Sequence, residues 1–154
     1  MTREEAAGLL ARSIAALVRH DAQLLELGVS ERAIAFRLAL YMSRSRLIRP
    51  PLTIDCEYNR HLGDRKKLNL PPRRRPNASP EPSDVFPDIL VHQRNSDDHN
   101  VLVVELKKPG EAIARDETKL RAFRTQLGYM HAAHVILGKT TTGAIVREVR
   151  WVDG

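Results

Sequence analysis

Two carboxylates and a lysine stand where this chain is otherwise hydrocarbon. In Asn100–Lys108, four apolar residues in a row, three of them β-branched, are followed at once by Glu105 and Lys107. Such a run forms a strand with at least one buried face, and alternation puts Val101, Val103, Glu105 and Lys107 on the same side. A second apolar run, Val85–His92, carries Asp88, and the polar stretch Gln93–Asn100 joins the two as a long-looped hairpin. If His92 faces Val101, paired numbers sum to 193 and Asp88 lies across from Glu105. Opposed Cβ atoms are ~5 Å apart, where like charges repel unless a cation sits between them. A slip of one residue would separate Asp88, Glu105 and Lys107. Hard carboxylate oxygens suit Mg²⁺, which keeps several waters and takes one or two protein carboxylates; Mn²⁺ is a possible substitute. The Val104 or Leu106 carbonyl can add a further oxygen.

The pattern Pro87-Asp88, sixteen residues, then Glu105-Leu106-Lys107 resembles the PD-(D/E)XK nuclease superfamily. The resemblance implies a metal-dependent phosphodiesterase in which Asp88 and Glu105 hold the ion and Lys107 orients and activates the attacking water. It also implies nucleic acid as partner, DNA ahead of RNA. In many members a glutamate on the first core helix reaches the metal site, which draws attention to Glu31. In the branch similar to RecB, a glutamine and a tyrosine on a later helix support the lysine. Gln126 and Tyr129 come near that arrangement at shorter spacing, and Lys119 is a weaker candidate beside them.

The elements that must position these residues follow from periodicity. Residues 2–27 read as one helix, opened by a Thr2/Glu5 capping box and closed at Gly28. Ser30 starts a second helix running to about Arg44, with Ile34, Ala35, Leu38, Tyr41 and Met42 on one stripe. Glu31 falls in the middle of that stripe; it is either a site residue or an acid favoured by the helix dipole in an exposed first turn. Pro50-Pro51 ends the helix, and Leu52–Asn59 alternates as a strand, with Glu57 on its polar face.

Residues 61–84 are basic and proline-rich and read as a long loop. There Arg65, Lys66, Lys67, Arg73, Arg74 and Arg75 are candidates for phosphate contacts, or simply a solvated face. No aromatics interleave in it. A helix from about Glu111 to Met130 follows the hairpin, with Leu120, Phe123, Leu127 and Met130 as its stripe and Lys119 and Gln126 inside it. Short strands at 134–137 and 144–152 close the chain.

The expected order, αβββαβ over about residues 30–139 with an extra N-terminal helix and C-terminal strand, is an α/β fold. It matches a restriction-endonuclease-like core: a central mixed sheet flanked by helices in a single domain. The 154 residues, with 25 Lys and Arg against 19 Asp and Glu, give a formal charge of +6, which suits a polyanionic partner without requiring one. One cysteine, Cys56, excludes an internal disulfide and a cysteine-rich zinc site. No apolar run reaches the ~20 residues of a membrane span and no signal peptide is evident, so the expected compartment is cytoplasmic. A non-catalytic nucleic-acid-binding module and an accessory subunit on the same fold are the competing readings, and a homodimer or larger complex is possible.

Overall fold

The computed structural model describes residues 1–73 and 77–153. Helices α1 (Arg3–His20), α2 (Ala22–Glu26) and α3 (Glu31–Ser43) come first, followed by β1 (Thr53–Cys56). Two ribbons follow, β2 (Arg60–His61) with β3 (Asp64–Arg65), and β4 (Lys67–Leu70) with β5 (Glu81–Asp84). The remainder is β6 (Ile89–His92), β7 (Leu102–Lys107), α4 (Ala114–Leu127), β8 (His131–Lys139) and β9 (Ile145–Trp151).

The main sheet has the order β1-β6-β7-β8-β9, with β7 and β8 parallel and the other neighbours antiparallel. It is therefore a mixed five-stranded sheet covered by helices on both faces. Alternation sends Leu102, Val104 and Leu106 into the core shared with α1 and α3. Leu90 and Val103 point the other way, towards Leu120 and Phe123 of α4. The β6–β7 register pairs Ile89 with Val104, Leu90 with Val103 and Val91 with Leu102. Every pair sums to 193, the register assumed above with His92 facing Val101. The parallel return to β8 requires a crossover, and α4 supplies it.

Several elements differ from expectation. The first helix breaks at Asp21 (φ −129°), whose carboxylate is held by α3: Tyr41 Oη donates to it at 2.6 Å and Arg37 Nε lies 3.4 Å away. Helix α4 starts at Ala114, later than Glu111, and stops at Leu127. Gly128 at φ +68° takes the left-handed cap, leaving Met130 exposed.

The largest correction is in residues 61–84. Part of this stretch is folded: Leu68 and Leu70 alternate inward along β4, and with Val85 they are buried beneath α4. Lys66, expected at a phosphate backbone, is only 3% exposed. Its Nζ donates to Tyr129 Oη at 3.2 Å and lies 5.4–5.9 Å from the rings of Tyr58, Phe123 and Tyr129. Burial pulls this ammonium down to about 8. Among the described residues, no helix is long and apolar enough to cross a membrane.

Candidate functional site

The site lies where β6 and β7 part at one end of the sheet. Asp88 stands one residue before β6, and its Oδ2 accepts the Leu106 N–H at 2.7 Å. The carboxylate thus takes up a backbone donor of β7, and the register places it across from Glu105. Glu105 is 4% exposed and faces the α4 side. Burial pushes its carboxyl up to about 8; Asp88 adds to the push and Lys119 opposes it. Asp88 is likewise raised by burial, against the pull of the Leu106 amide.

Lys119 on α4 is the nearest cation, with Nζ 2.7 Å from Glu105 Oε1. At that distance the ammonium compensates Oε1, and it pulls against the burial that raises the acid. The same ammonium donates to the Phe86 carbonyl at 2.9 Å. Lys107 turns to other acids: its Nζ is 3.2 Å from Glu31 Oε2 and 3.5 Å from Asp116 Oδ2. Burial disfavours its charge, but Asp116 and Glu31 outweigh that and hold it above its ordinary value. Glu31 reaches the site because Ser30 caps α3, Ser30 Oγ accepting from Ala33 N at 3.3 Å. This sets Glu31 in the first turn, where its Oε1 also accepts the Lys108 N–H at 3.2 Å.

Around these groups lies a cleft of about 690 Å³. Its described lining carries seven carboxylates against five cationic side chains. Glu57 is part of it, left-handed at φ +53° where β1 ends, and ion-paired with Arg32 at 3.1 Å. With Glu105 neutral below about pH 8, six charged carboxylates face five cations there. Among the described residues, no three His, Cys, Asp or Glu side chains gather as a metal cage. The donor set at Asp88 and Glu105 does fit a Mg²⁺ ion, which asks for only one or two carboxylates. Burial is the main cause of the raised Glu105 carboxyl, and Lys119 at 2.7 Å is the cation that now faces it.

The fold therefore brings together Asp88, Glu105, Lys107 and Glu31, with Arg73 on the rim. It does not bring Gln126. That side chain pins β4 to α4, Oε1 accepting the Asn69 N–H at 2.8 Å and Nε2 donating to the Asn69 carbonyl at 3.1 Å. Nor does Tyr129 reach Lys107; it is buried beside Lys66. Arg65 is exposed and paired with Asp84 at 2.9 Å, and Lys67 is exposed outside the cleft. Arg74 and Arg75 lie outside the described residues.

Sequence reasoning passed over Asp116 and His134. Asp116 sits three residues before Lys119 on α4, a spacing that places both on one face. His134 pairs with Glu105 in the β7–β8 register and is fully buried. Its Nε2 is 3.8 Å from Asp116, and neither ring nitrogen has a hydrogen-bond partner among the described residues.

Compared with family models, curated proteins and solved structures, the chain matches none.

Proposed function

We propose that this cleft hydrolyses phosphodiester bonds of nucleic acid, DNA in preference to RNA, with Mg²⁺ as cofactor and Mn²⁺ as a possible substitute, in the manner of PD-(D/E)XK nucleases. The observation that carries the reading is the β6–β7 register. Continued one pair past Ile89–Val104, it sets Asp88 against a buried Glu105 with a lysine two residues on. Asp88 and Glu105 would hold the cation, and the Leu106 amide fixes the Asp88 carboxylate. When bound, the cation lowers the pKa of a water and neutralises charge on the phosphodiester. Lys107, steered by Glu31 and Asp116, donates to the attacking water and to the negative charge that develops on phosphorus oxygens. The water oxygen bonds to phosphorus, the ester bond to the departing sugar oxygen breaks, and the proton passes to that oxygen through solvent. Glu31 acts through Lys107 and is a positioning residue.

One observation favours a different reading. Lys119 already stands as the internal cation of Glu105, so the same cleft can serve a binding module that never takes a metal. Cleavage of supercoiled plasmid, single-stranded DNA and structured RNA separates the two. The nuclease cuts with Mg²⁺ or Mn²⁺, stops in EDTA, and slows on the order of 10²–10³-fold in Lys107→Ala. Binding without cutting under either metal would hand the cleft to the binding module.

A further inference from the structure

Phe86 is a large apolar ring placed in a polar cleft. It is 47% exposed and lines the same cleft as Asp88, Glu105 and Lys107. Its neighbours Val85 and Pro87 are both buried, so in this extended stretch alternation turns the Phe86 ring outward. Backbone contacts hold it there. The Phe86 carbonyl accepts from Lys119 Nζ at 2.9 Å, and the Pro87 carbonyl accepts the Glu57 N–H at 2.9 Å. Isolated exposed aromatics are common, but the backbone that carries this ring is held by the lysine that also sits on the buried acid.

Two residues of extended chain span ~7 Å, so Phe86 stands about one nucleotide's spacing from Asp88 along the cleft. A second hollow of about 290 Å³ shares Leu70, Arg73 and Arg115 with the cleft, and Arg115 Nη1 donates to the Pro71 carbonyl at 3.2 Å. The end of the cleft thus offers an aromatic face, a carboxylate pair for a cation, and guanidinium groups for the flanking phosphate.

We propose that Phe86 is a stacking platform for an unpaired nucleobase, and that the substrate class of this cleft is therefore single-stranded nucleic acid or a frayed end. In a duplex both faces of each base are covered by its neighbours, and exposing one requires unstacking it. An unpaired base offers its face freely, and a single aromatic ring accepts any base. This inference rests on the proposed nucleic-acid reading of the cleft but not on its catalysis.

The test is a binding cycle in a Lys107→Ala background with Mg²⁺ present, so that strands stay intact. Fluorescence anisotropy compares a thymidine pentamer with a pentamer of abasic tetrahydrofuran phosphates, each against Phe86, Phe86→Ala, Phe86→Leu and Phe86→Trp. Stacking predicts a loss of about tenfold or more for the thymidine strand in Phe86→Ala, with Phe86→Trp restoring it. Phe86→Leu, which keeps apolar bulk and the fold, should lose most of the same affinity. Abasic binding should change less than about twofold. Thermal melts of the variants should superpose on the parent. An equal loss on both strands, no loss on either, or no binding of the thymidine strand by the parent overturns the proposal. Base-dependent loss in a protein that cuts nothing would retain the platform and dismiss the nuclease; cutting without base dependence would do the reverse.

Discussion

Two ammonium groups lie against helix α4, Lys119 half-buried and Lys66 buried, and their surroundings could hardly differ more. At one end Lys119 meets Glu105 at 2.7 Å, inside a cleft open to solvent. At the other, Lys66 is enclosed by three aromatic rings and one phenol oxygen, with no acid within ion-pair distance among the described residues. The first charge is half-buried and faces a buried acid. The second is buried beside groups that only fill space and accept one hydrogen bond. A buried charge is therefore no guide to function; what it faces, and whether anything can replace it, decides. The two regions also act on stability over adjoining pH ranges. Glu105 is raised to about 8, so the folded state holds a proton that the unfolded chain has released, and stability falls as pH rises from the ordinary carboxylate range towards 8. Lys66 is lowered to about 8, so below that value folding buries an unpaired charge. That cost fades as pH climbs from about 8 towards the ordinary lysine value. Together the two groups put a stability minimum near pH 8.

The largest expected effect comes from Lys119→Met. With no cation opposite it, Glu105 keeps its proton to higher pH. Chemical denaturation of the variant and the parent should then run in parallel up to about pH 8 and diverge above it, by ~1.4 kcal/mol per further pH unit. Parallel profiles throughout would mean that Lys119 does not hold the Glu105 charge.

Lys66→Met should work in the opposite sense. Removing a charge enclosed by rings, less the lost Tyr129 bond and ring contacts, should stabilise the protein by about 1–2 kcal/mol at pH 7, a gain that disappears by about pH 10. A loss at pH 7 would show that the rings compensate the ammonium fully, and the contrast with Lys119 would vanish.

Millimolar Mg²⁺ sharpens the comparison further. Below about pH 8 a cation must displace the Glu105 proton, so the thermal shift it gives should be larger at pH 8.5 than at pH 6, by about 1 kcal/mol or more. An equal shift at both pH values would place the cation elsewhere. The smallest effect belongs to Gln126→Ala, which removes two hydrogen bonds to Asn69. It should cost about 1 kcal/mol in chemical denaturation and leave nucleic-acid binding unchanged.

What could be read from the sequence, and what could not, divides along the same line. The placement of Asp88, Glu105 and Lys107 follows from period-two alternation and one hairpin register, both local properties. Glu31 betrayed itself as an acid on an apolar helical stripe. The partner of Glu105 was hidden because it depends on how far α4 is rotated over the sheet, and side-chain spacing within α4 leaves that angle free. Gln126 has the residue type of a catalytic support, yet the helix turns it to β4. Lys66 was misjudged because a basic run masks the alternation of Leu68 and Leu70, and that alternation folds the segment inward. The single mixed sheet with helices on both faces was readable; the two small ribbons within residues 60–84 were not.

The bond from the Leu106 amide to Asp88 makes one backbone proton a gauge of the site. Leu106 is fully buried, and its N–H is given to an ionisable side chain. Protonating Asp88 or drawing its charge towards a cation weakens that acceptor, so the amide resonance of Leu106 should move upfield as either happens. Its solvent exchange should quicken in step. A single nitrogen–proton cross-peak would then report occupancy at the parting of β6 and β7 in the intact protein, with no nucleic acid in the tube.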